Sequence, residues 1–346
     1  MSRRNRVLDA GRLLLDLVTR DPSFVRGGHP RLGEIPVFTF HSLEPQSFER
    51  KMHFLIEAGY QAIGMVAYLD ALRGLHPAPA KSVLITIDDG RATTWTVGYP
   101  TLKRLGMRAT AFLVSSAVHD SDEVSKTIAD VRESDRTPLM SRDESADRPF
   151  VTWGEVRAMR DVIDIESHTH LHARIPVGEE PSGVVTAAMG SGYGEFDCPF
   201  VPHGGHTVRG GALPLGRALP ASAPRLSGRP AFLAAAGRYE TAAETSEALR
   251  FDLGEARRLI REKTGAEATT VCYPWHVYSE AAKRIAREEG YVAGFAGKAA
   301  SGPAVSGPDA DPFEIARIGE DYVERLPGPG RRSILSILLE KQRRRG

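Results

Sequence analysis

Apolar runs of strand length alternate with helical patterns along most of this chain, and that alternation limits the available folds more than any other feature. Ser82-Val83-Leu84-Ile85-Thr86-Ile87 is a near-continuous apolar run, the pattern of a strand buried on both faces. Ile35-Pro36-Val37-Phe38-Thr39-Phe40 reads as a strand before it. Ala109–Val114, Asp161–Glu166, Thr269–Tyr273, Tyr291–Ala296 and Glu314–Ile318 read as strands after it. Helices are predicted between them. Phe48, Met52, Leu55 and Ile56 share one face, residues 97–105 stop at Gly106, and Thr152 stands three before Glu155 at the head of 152–160. Asp252, three before Glu255, heads another that runs to Gly265, and 279–289 ends at Gly290. Strand and helix in alternation imply a parallel sheet, and seven or eight strand candidates are enough to close a barrel.

The chain departs from this rhythm in three places. Residues 1–34 hold a short amphipathic helix over 6–20 and then a Gly/Pro-rich linker. Residues 176–250 are rich in Gly, Pro, Ala and Ser with little periodicity, which marks an insertion or lid. Residues 326–346 close the chain with a basic amphipathic helix over 332–345. The expected organisation is therefore an extension over 1–34, a barrel over 35–325 with an insertion at 176–250, and a basic C-terminal helix over 326–346.

Composition narrows the function. The 346 residues are 41% hydrophobic and 26% charged, ordinary for a folded protein, and a net charge of +1 points to no nucleic-acid partner. Cys198 and Cys272 are the only cysteines, too few for a disulfide framework or a four-cysteine zinc site. Leu13-Leu14-Leu15 is broken by Asp16 and lacks a cleavage site, and no run approaches membrane-span length, so a cytoplasmic location is expected. Five arginines against two aspartates in 1–20, and six Lys/Arg against one Glu in 331–346, would suit peripheral contact with an anionic membrane. A helix packed on the barrel with a solvated tail is the plainer reading.

Polar residues follow the predicted strands. His41 comes after 35–40, Asp88 and Asp89 after 82–87, His168 and His172 after 161–166, and Pro274 and His276 after 269–273. In parallel α/β folds the carboxyl ends of strands carry the chemistry. Two adjacent carboxylates at a strand end suggest divided roles, one binding a metal and one accepting a proton. A turn of ordinary Asp-Gly type is the alternative. His168 and His172 are four apart, so a helical turn would put both rings on one face, with His170 elsewhere. Two imidazoles and a carboxylate are a common catalytic metal set. The loop Pro202-His203-Gly204-Gly205-His206 reads as a flexible turn, or else as a second metal site near Cys198.

Thr86-Ile87-Asp88-Asp89-Gly90 resembles the T-F-D-D-G motif of the polysaccharide deacetylases, the NodB homology domain of carbohydrate esterase family four. His168-Thr169-His170-Leu171-His172 is similar to the H-[ST]-x-x-H motif of that family. Cys272-Tyr273-Pro274-Trp275 resembles the Y-P-x-G variant of its third motif, and Phe38-Thr39-Phe40-His41-Ser42 resembles the first-strand signature of the branch that carries Y-P-x-G. The resemblance implies a distorted parallel (β/α) barrel of about seven strands. It implies hydrolysis of the amide of an N-acylated, chiefly N-acetyl, amino sugar. It assigns Asp89, His168 and His172 to a divalent metal, zinc first, with Co2+, Ni2+, Mn2+ or Fe2+ compatible, and Asp88 to the role of general base. Tyr273 would offer a backbone N–H to the oxyanion, with Pro274 and Trp275 beside the substrate.

The chain departs from the family pattern. Cys272 stands where an arginine often braces the base, so that brace is missing or comes from elsewhere. His276 replaces the motif glycine. No late Leu-x-His follows, which leaves His41 and His276 as candidates for the general acid, and Phe295 as a wall for the acyl methyl. Two other readings stand beside the hydrolase: a degenerate sugar-binding protein that has lost turnover, and an iron(II) oxygenase, which would leave Asp88 without a task.

Overall fold

The computed structural model describes residues 22, 24–30, 34–144, 148–184, 201–203, 206–208, 216, 218–297 and 311–345. In chain order the first elements are β1 (Val37–Phe40), α1 (Pro45–Glu57), β2 (Gln61–Ala62), α2 (Met65–Leu72), β3 (Ser82–Ile87), α3 (Tyr99–Leu105), β4 (Ala109–Leu113), α4 (Trp153–Ala158) and β5 (Ile163–Ser167). Then come β6 (Arg174–Val184), β7 (Val201–His203), β8 (His206–Val208), β9 (Ala218–Pro224), β10 (Phe232–Leu233), β11 (Arg238–Tyr239) and α5 (Ala242–Thr264). The chain ends with β12 (Thr270–Cys272), α6 (Glu280–Glu288), β13 (Ala293–Phe295), β14 (Ile318–Gly319) and α7 (Ile334–Arg345).

The sheet is the expected one. Seven strands follow the order β13-β12-β5-β4-β3-β1-β14, with β2 pairing β3 off that path. The pairings β1–β14, β1–β3, β3–β4 and β5–β12 are all parallel. Phe38 lies between Ile85 and Ile318 in register. Every residue of β3 is buried, which is why its sequence is apolar without alternation. A parallel bridge joins Phe295 to Ile315, three residues before β14.

The chain forms two compact units. One comprises Met1–Ala111, His119–Asp164 and Phe295–Gly346; the other comprises Phe112–Val118 and Ile165–Gly294. In the first, α1 begins where Glu44 accepts the N–H groups of Gln46 and Ser47, with Pro45 at the first helical position. It buries Phe48, Met52 and Leu55 along one stripe, each contributing roughly 1.5–3 kcal/mol. Residues 24–28 of the linker are docked rather than loose. Phe24 packs edge-on against Phe38, and Arg331 donates to the carbonyls of Phe24, Gly27 and Gly28. The described residues of the charged stretch that follows β4, 119–144, are tied down as well. Arg142 is buried and pairs with Glu155, whose own side chain completes a capping box with Thr152 at the start of α4.

In the second unit, α5 and α6 pack together and bury Leu253, Ala256, Ile260, Ile285 and Ala286. The helix α5 starts eleven residues before the sequence pattern places it, because Thr241 and Glu244 form the capping box, while Asp252 lies buried in its interior. The stretch 176–250 contains two-stranded antiparallel pairings, β6 with β9, β7 with β8 and β10 with β11. Their Pro and Gly content hides the two-residue alternation by which strands are read. The helix predicted over 6–20 and the residue Cys198 lie outside the described residues. No described helix is long and apolar enough to cross a membrane.

Candidate metal and catalytic site

The first unit supplies the carboxylates. β3 ends at Ile87, and the chain turns through Asp89 and Gly90, both left-handed with φ of 72° and 75°. Aspartate tolerates that region better than most residues and glycine enters it without a Cβ penalty. Asp88 is buried, and its N–H donates to the Phe40 carbonyl. Arg317 Nη1 donates to Asp88 Oδ1 at 2.7 Å, with both side chains almost fully buried. The same guanidinium donates to Thr86 Oγ1 and to the Ala296 carbonyl. His41 Nε2 lies 3.8 Å from Asp88 Oδ2, and the His41 ring is half exposed. Arg91 Nε stands 3.7 Å from Asp89 Oδ2 while its guanidinium covers the Phe150 ring. The turn is held from behind by Asp143, which accepts both the N–H and the hydroxyl of Thr93 at 2.7 Å. Burial pushes the Asp143 carboxyl up.

Arg317 is the residue that sequence reasoning missed. It is the brace that Cys272 does not provide. Its only local signal is a lone cationic residue among Ile315, Ala316 and Ile318 in the last predicted strand.

The second unit supplies the imidazoles. After β5, the chain from His168 to His172 forms a bend rather than the expected helical turn, with Thr169 and His172 left-handed at φ 65° and 49°. Hydrogen bonds from outside the segment set this shape. His168 N–H donates to the Leu113 carbonyl, Ser115 N–H to the Thr169 carbonyl and His170 N–H to the Asp252 carbonyl. Leu171 N–H donates to Asp252 Oδ1 at 2.7 Å, and His172 N–H to Thr169 Oγ1. The bend still brings the two rings together, with His168 and His172 centroids 4.8 Å apart. His170 faces elsewhere, hydrogen-bonded to Ser115 and packed against Phe251. Burial lowers the His170 pKa and pushes the Asp252 carboxyl up to about 6.

His168 Nδ1 lies 2.9 Å from the Cys272 carbonyl. A carbonyl only accepts, so Nδ1 carries the proton and Nε2 keeps the lone pair that could bind a metal. Cys272 thus contributes through its backbone, and its thiol is buried. Beyond it, Tyr273 is fully buried and stacks on Tyr278. Its hydroxyl occupies the space a side chain at residue 294 would need, which is why Gly294 has none. After Pro274, Trp275 and His276 are both left-handed, at φ 51° and 62°. The motif glycine is thus expected at a position whose backbone favours glycine, and His276 adopts that conformation with its side chain exposed. The Trp275 ring lies 4.1 Å from the His172 ring, and the Arg174 guanidinium lies over the Trp275 ring, 5.3 Å from its centroid.

Two sets of buried side chains are of kinds that could hold a metal ion: Asp89 with His168 and His172, and Asp88 with His168 and Cys272. The first suits a divalent cation best, since it offers one carboxylate and two imidazoles, one of them with its tautomer fixed.

A family model described as polysaccharide deacetylase matches residues 76–197. The chain is 26% identical over 239 residues to the poly-beta-1,6-N-acetyl-D-glucosamine N-deacetylase of Escherichia coli (strain K12), over 68% of this chain and 28% of that protein. It therefore spans little more than a quarter of that relative's length. Among solved structures, a de-N-acetylase from Aggregatibacter actinomycetemcomitans superimposes with a TM-score of 0.57 at 20% identity, covering 82% of this chain and 94% of that one. The deacetylase domain of BpsB from Bordetella bronchiseptica gives a TM-score of 0.56 at 21% identity, covering 82% and 95%. These two likenesses show a shared fold.

Proposed function

We propose that the chain, which matches the polysaccharide deacetylase family model over residues 76–197, is a member of that family and hydrolyses the N-acetyl amide of a glucosamine-containing substrate, with Asp88 as general base. Asp89, His168 and His172 would hold a divalent ion, zinc by preference. When bound, such an ion supplies Lewis acidity that brings the pKa of a water down to about 7.

The chain's own residues carry the rest. Arg317 fixes Asp88 Oδ1, so Oδ2 is the oxygen that takes the proton of the attacking water. The water adds to the amide carbonyl, and the Tyr273 backbone N–H donates to the developing oxyanion. His41, 3.8 Å from Asp88 Oδ2, is placed to hand a proton to the departing amine. His276, exposed on the strained turn, is the other candidate for that transfer. Trp275 and Pro274 would line the sugar's path, and Phe295 the acetyl methyl. Residues 176–250 would shape the rest of the pocket, within a catalytic barrel over 35–325.

The observation that carries this reading is the buried Asp88–Arg317 pair. A sugar-binding protein without turnover has no use for a carboxylate so held, whereas a general base must keep one orientation. The test is mass spectrometry of N-acetylglucosamine oligomers incubated with zinc-loaded protein. Wild type should release acetate, and Asp88→Asn should lower the rate by roughly 10²–10⁴-fold while retaining its metal. Equal rates for the two would overturn the proposal.

A further inference from the structure

Arg174 is the first residue of β6 and half-buried, and its surroundings are not those of a structural ion pair. Its Nε donates to Ser222 Oγ and its Nη2 to the Ser222 carbonyl, both at 3.2 Å and both neutral acceptors. Among the described residues no carboxylate pairs with it. Its guanidinium lies over the Trp275 ring, 5.3 Å from the centroid, and that ring in turn lies 4.1 Å from His172. The antiparallel pairing of β6 with β9 holds it there, with Arg174 opposite Pro224 and Pro176 opposite Ser222. A positive charge two rings away from a cation-binding imidazole weakens cation affinity unless an anion joins them. A guanidinium stacked on an indole still presents N–H donors along its edge, in the fork that matches the oxygens of phosphate or carboxylate.

We propose that Arg174 reads an anionic substituent of the substrate, so that the preferred N-acetyl sugar carries a phosphate or a carboxylate rather than hydroxyls alone. The inference rests on the deacetylase reading for the location of the sugar. The position itself is fixed by Trp275 and Ser222, and a neutral sugar hydroxyl would be met as well by an amide side chain, without the cost of a charge. The start of β6, just before the insertion, thereby contributes a specificity-determining residue beside the imidazoles.

The test compares N-acetylglucosamine with N-acetylglucosamine 1-phosphate, N-acetylglucosamine 6-phosphate and N-acetylmuramic acid as substrates of the zinc-loaded full chain. Wild type should show a KM at least about tenfold lower for one or more of the anionic sugars, a difference of roughly 1.4 kcal/mol. Which of the three it is distinguishes phosphate from carboxylate. Arg174→Gln should erase that KM difference, and Arg174→Lys should restore part of it. Equal KM values for wild type across the four sugars would overturn the proposal while leaving the deacetylase reading intact, and that comparison needs no variant. If none of the sugars is hydrolysed, the deacetylase reading fails, and calorimetry then decides the anion claim alone. Glucosamine 1-phosphate or glucosamine 6-phosphate binding at least tenfold tighter than glucosamine to wild type, but not to Arg174→Gln, would sustain it. Equal binding would end it.

Discussion

Arg317 lies 229 positions after Asp88 and holds it at 2.7 Å, with both side chains out of solvent. Removing the cation leaves a buried carboxylate without its partner, which costs about 3–5 kcal/mol. Arg317→Met should therefore lower the unfolding free energy obtained from urea titration by that amount as well as abolish turnover, and Arg317→Lys should recover part of the stability. His276 makes the opposite case. A residue with a side chain held at φ 62° carries strain of about 1 kcal/mol that glycine does not. His276→Gly should raise stability by about that much in a thermal melt. If His276 supplies the amine's proton, activity will fall in the same variant; if His41 does, it will not. The strained pair Trp275–His276 is legible in the sequence as a departure from the Y-P-x-G pattern. The brace by Arg317 is not, because a pairing across so many residues leaves no local periodicity.

At the scale of elements, the termini are set by side chains that sequence spacing reveals. Thr152 and Glu155 were recognisable as a capping pair and form one. Thr241 and Glu244 form another, hidden because the first turns of α5 carry Ala, Thr, Ser and Glu in place of an apolar stripe. Thr241→Ala should destabilise the protein by about 1 kcal/mol in denaturant titration. The bend over 168–172 shows a second limit of local reading. A spacing of four suggests a helical turn, but Asp252, on α5, supplies the acceptors that set the bend. Its carboxyl is pushed from the ordinary aspartate range up to about 6 by burial. The folded state therefore holds a proton that the unfolded chain has released over roughly pH 4–6. Stability should fall as pH rises through that window, and Asp252→Asn, which keeps the acceptor for Leu171 N–H, should flatten the slope. An unchanged slope in the variant would assign the effect to another group.

Across the whole molecule, the parallel sheet is legible because strands such as β1 and β3 are apolar runs followed by helices, the pattern that βαβ units impose on sequence. The antiparallel ribbon of β6 and β9 is not, since RIPVGEEPSGV and ALPASAP lack strand-like alternation. The candidate site divides in the same way. Asp88, Asp89, His168 and His172 announce themselves as polar residues at the ends of apolar runs, whereas Arg317, Asp143 and Asp252 act on them through folding alone. The central claim, that one divalent ion is shared by Asp89, His168 and His172, is tested most directly by elemental analysis of zinc-equilibrated, desalted protein. Wild type is predicted to retain about one zinc per chain, and Asp89→Asn, His168→Gln and His172→Gln each to lose 10-fold or more in metal affinity. Zinc bound by all three variants as tightly as by wild type would contradict the account.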